Sequence, residues 1–187
     1  MAIVGAYPGT FNPPTIAHLA IAEAAVRQGR LDRLDLVVSL VPLGKEVPVP
    51  PFEDRVSVLE AIAATRPWLG VRVTEHQLIS DVAAGYDAVV LGADKWLQVI
   101  DPIWYGGTRA ARDEAVARLP RLVVVARPPH LIPEALPEGS ILLEVGADHA
   151  GVSSTAARAG RREWMAAEAA LSGRWLDGQP DSGERAD

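Results

Sequence analysis

The 187-residue sequence has no cysteine, and only 5% of its residues are aromatic. Without cysteine the chain has neither disulfides nor thiolate metal sites, which is typical of the reducing cytoplasm where we expect it. Acidic residues outnumber basic ones, and the net charge of −6 argues against nucleic acid or an anionic membrane as a partner. No apolar run approaches the length of a membrane span, and no signal-peptide pattern is present at the N-terminus.

The composition is that of one globular domain. Hydrophobic residues make up 49% of the chain and charged residues 22%, a balance that supports a substantial core at this length. The last residues, DGQPDSGERAD, have no apolar face. We therefore expect a single domain over residues 1–176 and a flexible polar tail over residues 177–187.

Short β-branched runs alternate with helical patterns along the chain. The strands are predicted at the apolar opening around 2–4 and at 34–41, 71–75, 87–92, 122–126 and 141–145. The helices are predicted over 15–29, 52–64, 96–100, 108–117 and 162–171. This alternation indicates an α/β fold, Rossmann-like and doubly wound, with a mainly parallel sheet and helices on both faces. A ligand is then expected at the carboxyl ends of the strands.

The stretch from Val4 to His18 combines a strand, a turn with glycine and two prolines, and the start of a helix. Backbone N–H groups at such a junction and the helix dipole both favour an anion. His18 falls in the first helical turn, where its imidazole can face the same anion. On spacing alone, an ordinary turn followed by a solvent-facing or capping histidine is the favoured interpretation.

A second polar stretch lies near the end of the domain, at residues 151–158 (GVSSTAAR). Two hydroxyls and several backbone N–H groups start a helical turn there, and Arg158 can bind phosphate oxygens with its planar guanidinium. The alternative is a Ser/Thr helix cap followed by a surface arginine.

Both stretches resemble signatures of one superfamily, the nucleotidylyltransferases. Residues 9–18, GTFNPPTIAH, resemble G-x-F-x-P-x-[HT]-x-G-H, and residues 152–158 resemble I-S-S-T-x-x-R. Between them, Gly92-Ala93-Asp94, Trp104-Tyr105 and the run LVVVARP at 122–128 are similar to segments of nicotinate- and nicotinamide-mononucleotide adenylyltransferases. The resemblance covers most of residues 1–161 and implies the nucleotidylyltransferase fold.

The resemblance implies an enzyme that transfers AMP from ATP to a phosphorylated small molecule and releases pyrophosphate, as in NAD biosynthesis. ATP is favoured over CTP as the donor, and Mg²⁺ is expected to be held by the phosphates and water, without a metal site in the protein. A phosphopantetheine-type adenylyltransferase or a cytidylyltransferase is the alternative reaction. A non-catalytic nucleotide-binding or regulatory protein on the same fold is an alternative of another class, and the oligomeric state stays open, homo-oligomers included.

The resemblance also assigns roles to residues. The residues implied in catalysis are His18, Thr15, Lys45 and Arg158. The residues implied in nucleotide binding are Gly9, Thr10, Phe11, His18, Gly92, Asp94, Arg127, Val152, Ser153, Ser154, Thr155 and Arg158. The residues implied in acceptor binding are Thr10, Lys45, Arg55 and Trp104. Lys45 as a solvated loop lysine, Asp94 as a helix cap and Trp104 as a core residue remain the alternatives.

The sequence departs from the family pattern at three places. Thr15 replaces the first histidine of the mononucleotide enzymes, although phosphopantetheine adenylyltransferases carry Thr there. Ala17 replaces the motif glycine, and its methyl group is expected to crowd a purine or phosphate. The segment from 76 to 86 lacks the Ser-Tyr-Thr turn and extra helix that help nicotinate-mononucleotide enzymes bind their acceptor. The acceptor is therefore left open.

Overall fold

The computed structural model describes residues 1–44, 49–126 and 136–175. Lys45, Arg127 and the expected tail at 177–187 lie outside these residues. Within the described part of the chain, no helix is both long and apolar enough to cross a membrane.

One sheet organises the described residues. Its six strands are β1 (Val4–Pro8), β2 (Arg33–Ser39), β3 (Leu69–Thr74), β4 (Ala88–Gly92), β5 (Arg121–Val125) and β6 (Ile141–Leu143). They lie in the order β3-β2-β1-β4-β5-β6, and every neighbouring pair is parallel. The strand order reverses between β1 and β4, and such a reversal opens a crevice at the carboxyl ends of the strands.

Seven helices connect or follow the described strands. They are α1 (Ile16–Gly29), α2 (Phe52–Ala64), α3 (Ile79–Val82), α4 (Ala93–Val99), α5 (Arg109–Ala117), α6 (Ser154–Arg158) and α7 (Ala167–Ser172). Single 3₁₀ turns cover Pro102–Tyr105, Ala147–His149 and Arg162–Trp164.

Apolar side chains alternate between the two faces of the sheet. On β5, Val123 packs with α1 and α2 residues in one core cluster, whereas Val124 packs with Trp96 of α4 in a second cluster. Because side chains of a strand point alternately to opposite faces, a strand that is apolar throughout needs cover on both sides. The predicted α/β class with a parallel sheet between two helix layers is confirmed.

The C-terminal helix differs from its prediction. Residues 162–171 do not form one helix, because Met165 is extended and buried and forms an antiparallel bridge with Thr15. The next N–H, that of Ala166, donates to the Pro14 carbonyl at 2.9 Å. A backbone group that bonds to another segment cannot continue the i to i−4 ladder, so the helix restarts at Ala167.

Three smaller differences concern segments that border the site. The first strand extends to Pro8, well beyond the apolar opening. The short helix α3 was not predicted, and α4 begins at Ala93 and not near residue 96. The remaining helix predictions agree closely, and α2 has the predicted bounds.

Candidate active site

A cavity of about 460 Å³ lies at the carboxyl edge of the sheet. The last residues of four strands line it, namely Pro8, Ser39, Gly92 and Val125. Its volume is in the range of pockets that bind small molecules and cofactors. The rest of the described wall comes from other strand residues, from the turn after β1, from α1, from the loop after β2 (Pro42 and Leu43), from the 77–82 segment, from α4 with the turn after it, and from α6.

The turn after β1 is tightly packed. Phe11 has a left-handed backbone (φ +44°) and is 1% exposed, and its ring packs edge-on against Tyr7 and His18 at centroid distances of 5.5 and 5.2 Å. A Cβ added at Gly9 would lie 2.8 Å from the Phe11 ring, so only glycine fits at that position. A left-handed backbone costs free energy at a non-glycine residue and persists only where the surrounding contacts stabilise it. The ring contacts of Phe11 provide that stabilisation.

Three side chains from two helices, α2 and α6, bind the carbonyls of this turn. Arg55 on α2 donates to the Thr10 carbonyl at 2.9 Å, and Ser154 donates to the Pro13 carbonyl at 2.8 Å. Arg158 donates to the Asn12 carbonyl. In a trans peptide the C=O and N–H groups point in opposite directions, so the bond to Thr10 leaves the Phe11 N–H facing away from Arg55.

His18 is held by a capping box at the start of α1. The backbone N–H of Thr15 donates to His18 Nδ1 at 3.0 Å, and Thr15 Oγ1 lies 2.8 Å from the same nitrogen. The Thr15 hydroxyl in turn accepts from the His18 backbone N–H at 3.4 Å. Because Nδ1 accepts a hydrogen bond, the proton of the neutral ring lies on Nε2. The imidazole, itself part of the cavity wall, is thus oriented as an Nε2 donor.

Thr15 and Ala17 do not lie on the described cavity wall. Thr15 is fully buried and Ala17 is 6% exposed. A side chain without exposed surface cannot contact a ligand, so the expectation that Thr15 itself places phosphates does not fit its position. Nor does the Ala17 methyl group crowd the cavity, since it packs into the core.

The segment at 152–158 lies against the turn after β1. Ser153 caps α6 by accepting from the Ala156 N–H at 3.1 Å, and Val152 is buried. Ser154, Thr155 and Arg158 line the cavity. The two segments that resemble superfamily signatures are more than 130 residues apart along the chain, counted from His18 to Val152, and the structure places them side by side.

Arg55 lies outside the cavity. Its side chain is buried, with the guanidinium 5.3 Å from the Phe52 ring centroid and Nε without a hydrogen-bond partner among the described residues. Burial lowers the pKa of the Arg55 guanidinium, and the nearby Glu53 carboxylate opposes that shift. The expectation that Arg55 contacts a substrate is therefore contradicted by its burial, and its donated hydrogen bond supports the Thr10 carbonyl instead.

Most other predicted residues surround the cavity. Gly9, Thr10 and Phe11 line it beside β1, while Gly92 and Asp94 line it at the end of β4. Trp104 also lines it, and its ring covers Gly44, where an added Cβ would lie 2.8 Å from the ring. Lys45 and Arg127 were placed in the site from the sequence but lie outside the described residues.

Several wall residues were missed in the sequence. Lys95 and Gln98 line the cavity from α4, where Lys95 Nζ donates to Gln98 Oε1 at 2.6 Å. The segment that lacked the acceptor motif also reaches the cavity, through Gln77 to Ile79 and Val82. The position of Lys95 directly after Gly92-Ala93-Asp94, at a strand end, is the signal that could have indicated it.

A further residue missed in the sequence is Trp175, which follows α7. It is 7% exposed and donates from Nε1 to Asn12 Oδ1 at 2.5 Å. The amide of Asn12 donates in turn to the Val49 carbonyl at 3.1 Å. No local pattern indicates this contact, because the two partners are 163 residues apart.

The titratable groups of the wall are few. Among the described lining residues Asp94 is the one carboxylate, and Lys95 and Arg158 carry positive charge. Burial raises the pKa of the Tyr105 hydroxyl, and the Asp81 carboxylate adds to the shift. In the described part of the chain no three His, Asp or Glu residues are grouped so as to hold a metal ion.

The fold and this cavity define a doubly wound α/β protein with a site at the carboxyl ends of its strands, and the chain matches the Cytidylyltransferase-like family over residues 6–160. That match covers well over half of the sequence. The protein belongs to the Cytidylyltransferase-like family, which confirms the resemblance to the nucleotidylyltransferase superfamily.

Curated relatives match shorter segments. A probable nicotinate-nucleotide adenylyltransferase from Pseudothermotoga lettingae is 40% identical over 52 residues, covering 28% of this chain and 26% of that protein. A phosphopantetheine adenylyltransferase from Alkalilimnicola ehrlichii is 30% identical over 91 residues, covering 49% and 51%. The chain thus spans about half or less of the length of these relatives.

The fold is also similar to solved structures of Plasmodium falciparum nicotinic acid mononucleotide adenylyltransferase. The complex with APC has a TM-score of 0.61 and the complex with NaAD a TM-score of 0.63, each at 14% identity. Both alignments cover 85% of this chain and 83% of the other. At this identity the likeness shows a shared fold.

Proposed function

We propose that the protein transfers AMP from ATP to a phosphorylated small molecule and releases pyrophosphate, with nicotinate mononucleotide as the first candidate acceptor. One observation carries this proposal. Arg158 and Ser154 of one signature segment bind the Asn12 and Pro13 carbonyls of the other, beside a single cavity. Two segments typical of nucleotide transfer therefore form one site.

The reaction needs no nucleophile from the protein. An oxygen of the acceptor phosphate forms a bond to the α-phosphorus of ATP, and the bond from that phosphorus to the bridging oxygen of the β-phosphate breaks. Pyrophosphate leaves with the electron pair. Catalysis then rests on placing the acceptor phosphate in line with the α-phosphorus and the leaving pyrophosphate. It also rests on stabilising the negative charge that develops around the α-phosphorus.

His18 stabilises that charge in our proposal. Its Nδ1 is occupied by Thr15, so its Nε2–H donates to an α-phosphate oxygen. A neutral imidazole with a fixed tautomer needs no rearrangement as charge builds up, which is the basis of electrostatic preorganisation. Thr15 acts here as a positioning residue.

The remaining roles follow the placement on the wall. Ser154, Thr155 and Arg158 bind the β- and γ-phosphates. Ser153, which caps α6, and the buried Val152 hold that segment in place. Lys45 adds positive charge. Gly9, Thr10 and Phe11 approach the α-phosphate, while Gly92, Asp94 and Arg127 hold the nucleoside. The single carboxylate of the described wall fits a Mg²⁺ ion bound mainly by phosphates and water, which would supply charge neutralisation there.

A second acceptor class has specific support. Thr15 is the residue that phosphopantetheine adenylyltransferases carry, and one relative at 30% identity bears that name. The two acceptors differ in shape: a mononucleotide presents a planar ring that can stack on Trp104, which lies on the wall, whereas phosphopantetheine is a flexible chain. The Trp104 ring on the wall therefore favours a mononucleotide as the acceptor.

The test is pyrophosphate release with Mg²⁺, each of ATP and CTP, and a panel of nicotinate mononucleotide, nicotinamide mononucleotide and phosphopantetheine. We expect release from ATP with a mononucleotide. His18→Ala should lower kcat by about two orders of magnitude or more with a modest change in KM. His76→Ala, at an exposed histidine that is not among the described wall residues, serves as the matched control. ATP binding without pyrophosphate release from any acceptor would instead support a non-catalytic nucleotide-binding protein.

A further inference from the structure

We propose that Lys95, together with Gln98, binds an anionic group on the ring of the acceptor and makes the enzyme prefer a carboxylate-bearing acceptor over its carboxamide. The inference rests on the proposed function and names the chemistry of its second substrate. Nothing in the signature segments assigns a role to either residue, and both lie on the opposite side of the crevice from α6.

The two side chains form one surface. Lys95 and Gln98 are three residues apart on α4, so they lie on the same face of the helix, and Nζ is 2.6 Å from Oε1. Asp94 lines the same cavity, and because it precedes Gln98 by four residues it lies on the same side of the helix as that amide. The bond orients the Gln98 amide with its oxygen toward Lys95, which leaves the NH₂ group pointing the other way.

The same wall carries aromatic rings. The Tyr105 hydroxyl donates to the Val99 carbonyl at 2.9 Å and so ties the 3₁₀ turn Pro102–Tyr105 to the end of α4. Trp104 of that turn lines the cavity together with Tyr105, Lys95 and Gln98. A flat indole beside an ammonium group and an amide is suited to a planar ring with a carboxylate substituent: the ring stacks, and the carboxylate takes charge-assisted hydrogen bonds.

Lysine is rare in this chain, which makes its presence here informative. The chain has 18 basic residues, of which only Lys45 and Lys95 are lysines, so arginine is its general surface cation. Lys95 also occupies the first turn of α4, where the helix dipole disfavours a positive charge. Lys95 is thus an exception among the basic residues of the chain, and it lies at the strand end where the cavity opens.

Arg158 cannot serve the same purpose. Its guanidinium donates to the Asn12 carbonyl and lies 3.5 Å from Thr155 Oγ1, so its position is set by the turn after β1. That side of the cavity holds the triphosphate in the proposed function. Among the described lining residues, the positive charge on the α4 side is that of Lys95.

The test compares two acceptors that differ only in charge at the ring. With nicotinate mononucleotide, Lys95→Met should raise KM about tenfold or more and change kcat little, because a charge-assisted hydrogen bond is lost. With nicotinamide mononucleotide the same variant should stay within about twofold of wild type, since a neutral amide gains little from the ammonium. Arg109→Met removes an exposed charge on α5, away from the wall, and is the control.

The outcomes are distinct. An equal rise in KM for both acceptors would mean that Lys95 binds their common phosphate, and unchanged kinetics would mean that it binds neither; each result overturns the inference and leaves the proposed function intact. A wild-type enzyme that accepts only the carboxamide or only phosphopantetheine overturns it as well. Absence of pyrophosphate release with every acceptor defeats the proposed function, and the inference with it.

A second readout does not depend on turnover. Acetic anhydride labels lysine amines, and peptide mass spectrometry can follow Lys95 and Lys45 separately because there are no others. Without ATP, nicotinate mononucleotide should slow the labelling of Lys95 several-fold, whereas nicotinamide mononucleotide at the same occupancy should not. Equal protection by the two acceptors would contradict a role in reading the carboxylate.

Discussion

At the scale of single residues, the orientation of His18 depends on Thr15. The Thr15 hydroxyl caps α1, and its backbone N–H and hydroxyl both contact His18 Nδ1. Capping boxes ordinarily use Glu or Gln at the third helical position. A histidine in that position links the stability of the helix start to the direction of a donor in the cavity.

Thr15→Val should separate positioning from direct binding. The variant keeps the shape of a fully buried side chain but loses the hydroxyl, so we expect about 1 kcal/mol less stability from the lost cap. We also expect roughly tenfold lower kcat with KM for ATP nearly unchanged, because the ring orientation loosens. Urea unfolding and steady-state kinetics measure the two effects.

Thr15→Ser, which retains the hydroxyl, is the control and should stay close to wild type in both measurements. A rise in KM for ATP at constant kcat would show that Thr15 contacts the phosphates, contrary to its burial.

At the scale of elements, α2 supports the turn after β1 without entering the cavity. Arg55 reaches from the first turn of α2 to the Thr10 carbonyl, and its charge faces the Phe52 ring and the nearby Glu53 carboxylate. A buried cation is expensive, and it is retained where it performs a specific task. Here that task is to hold the peptide group between Thr10 and Phe11, whose N–H is that of Phe11.

Arg55→Met should therefore lower activity more than stability. Replacing a buried charge by an apolar side chain of similar length is often nearly neutral, and we expect a change below about 2 kcal/mol in unfolding free energy. Loss of the Thr10 contact should reduce kcat by roughly 10- to 100-fold. Chemical denaturation and single-turnover AMP transfer test both parts.

The exposed helix residue Arg27 offers the matched control, as Arg27→Met removes the same group from the surface. Should Arg55→Met raise only the KM of the acceptor, with kcat intact, Arg55 would be a substrate ligand after all and the burial argument would fail.

At the scale of the whole molecule, the C-terminal segment closes the fold over the signature turn. Met165 pairs with Thr15, Ala166 donates to Pro14, and Trp175 donates to Asn12. The Asn12 amide in turn donates a hydrogen bond to the Val49 carbonyl. The two ends of the described chain therefore meet at the site, and the geometry of the cavity depends on the complete domain.

Trp175→Phe keeps an aromatic ring but leaves Asn12 Oδ1 without its donor. An unsatisfied buried carbonyl costs about 1–3 kcal/mol, so Tm should fall by roughly 3–8 °C for a domain of this size. Asn12→Ala should cost less in the Trp175→Phe background than in wild type, because the two residues share one hydrogen bond.

Thermal unfolding of the four proteins in this cycle measures the coupling. Trp68→Phe, at a partly buried tryptophan that packs on the same core, controls for the change in ring size. Additive losses in the cycle would mean that the bond between Trp175 and Asn12 contributes no stability of its own.

Much of the fold and part of the site could be predicted from local patterns. The alternation of β-branched runs and helical stretches indicated the parallel sheet, and α2 has its predicted bounds, Phe52–Ala64. The turn at residues 9–14 and the run at 152–158 were each recognisable as places for an anion. These features are encoded within a few neighbouring residues, through periodicity, glycine and proline, and capping side chains.

The sequence by itself determined the fold class and the two signature segments, and it predicted a nucleotide site at them. The tertiary structure decided that Arg55 is a buried support, that Thr15 holds His18, that Lys95 and Gln98 lie together on the cavity wall, and that Trp175 binds Asn12. The physical reason is that each of these roles depends on contacts set by strand order and burial. A side chain's chemistry can be read from one position, but its partners are fixed only when distant segments pack together.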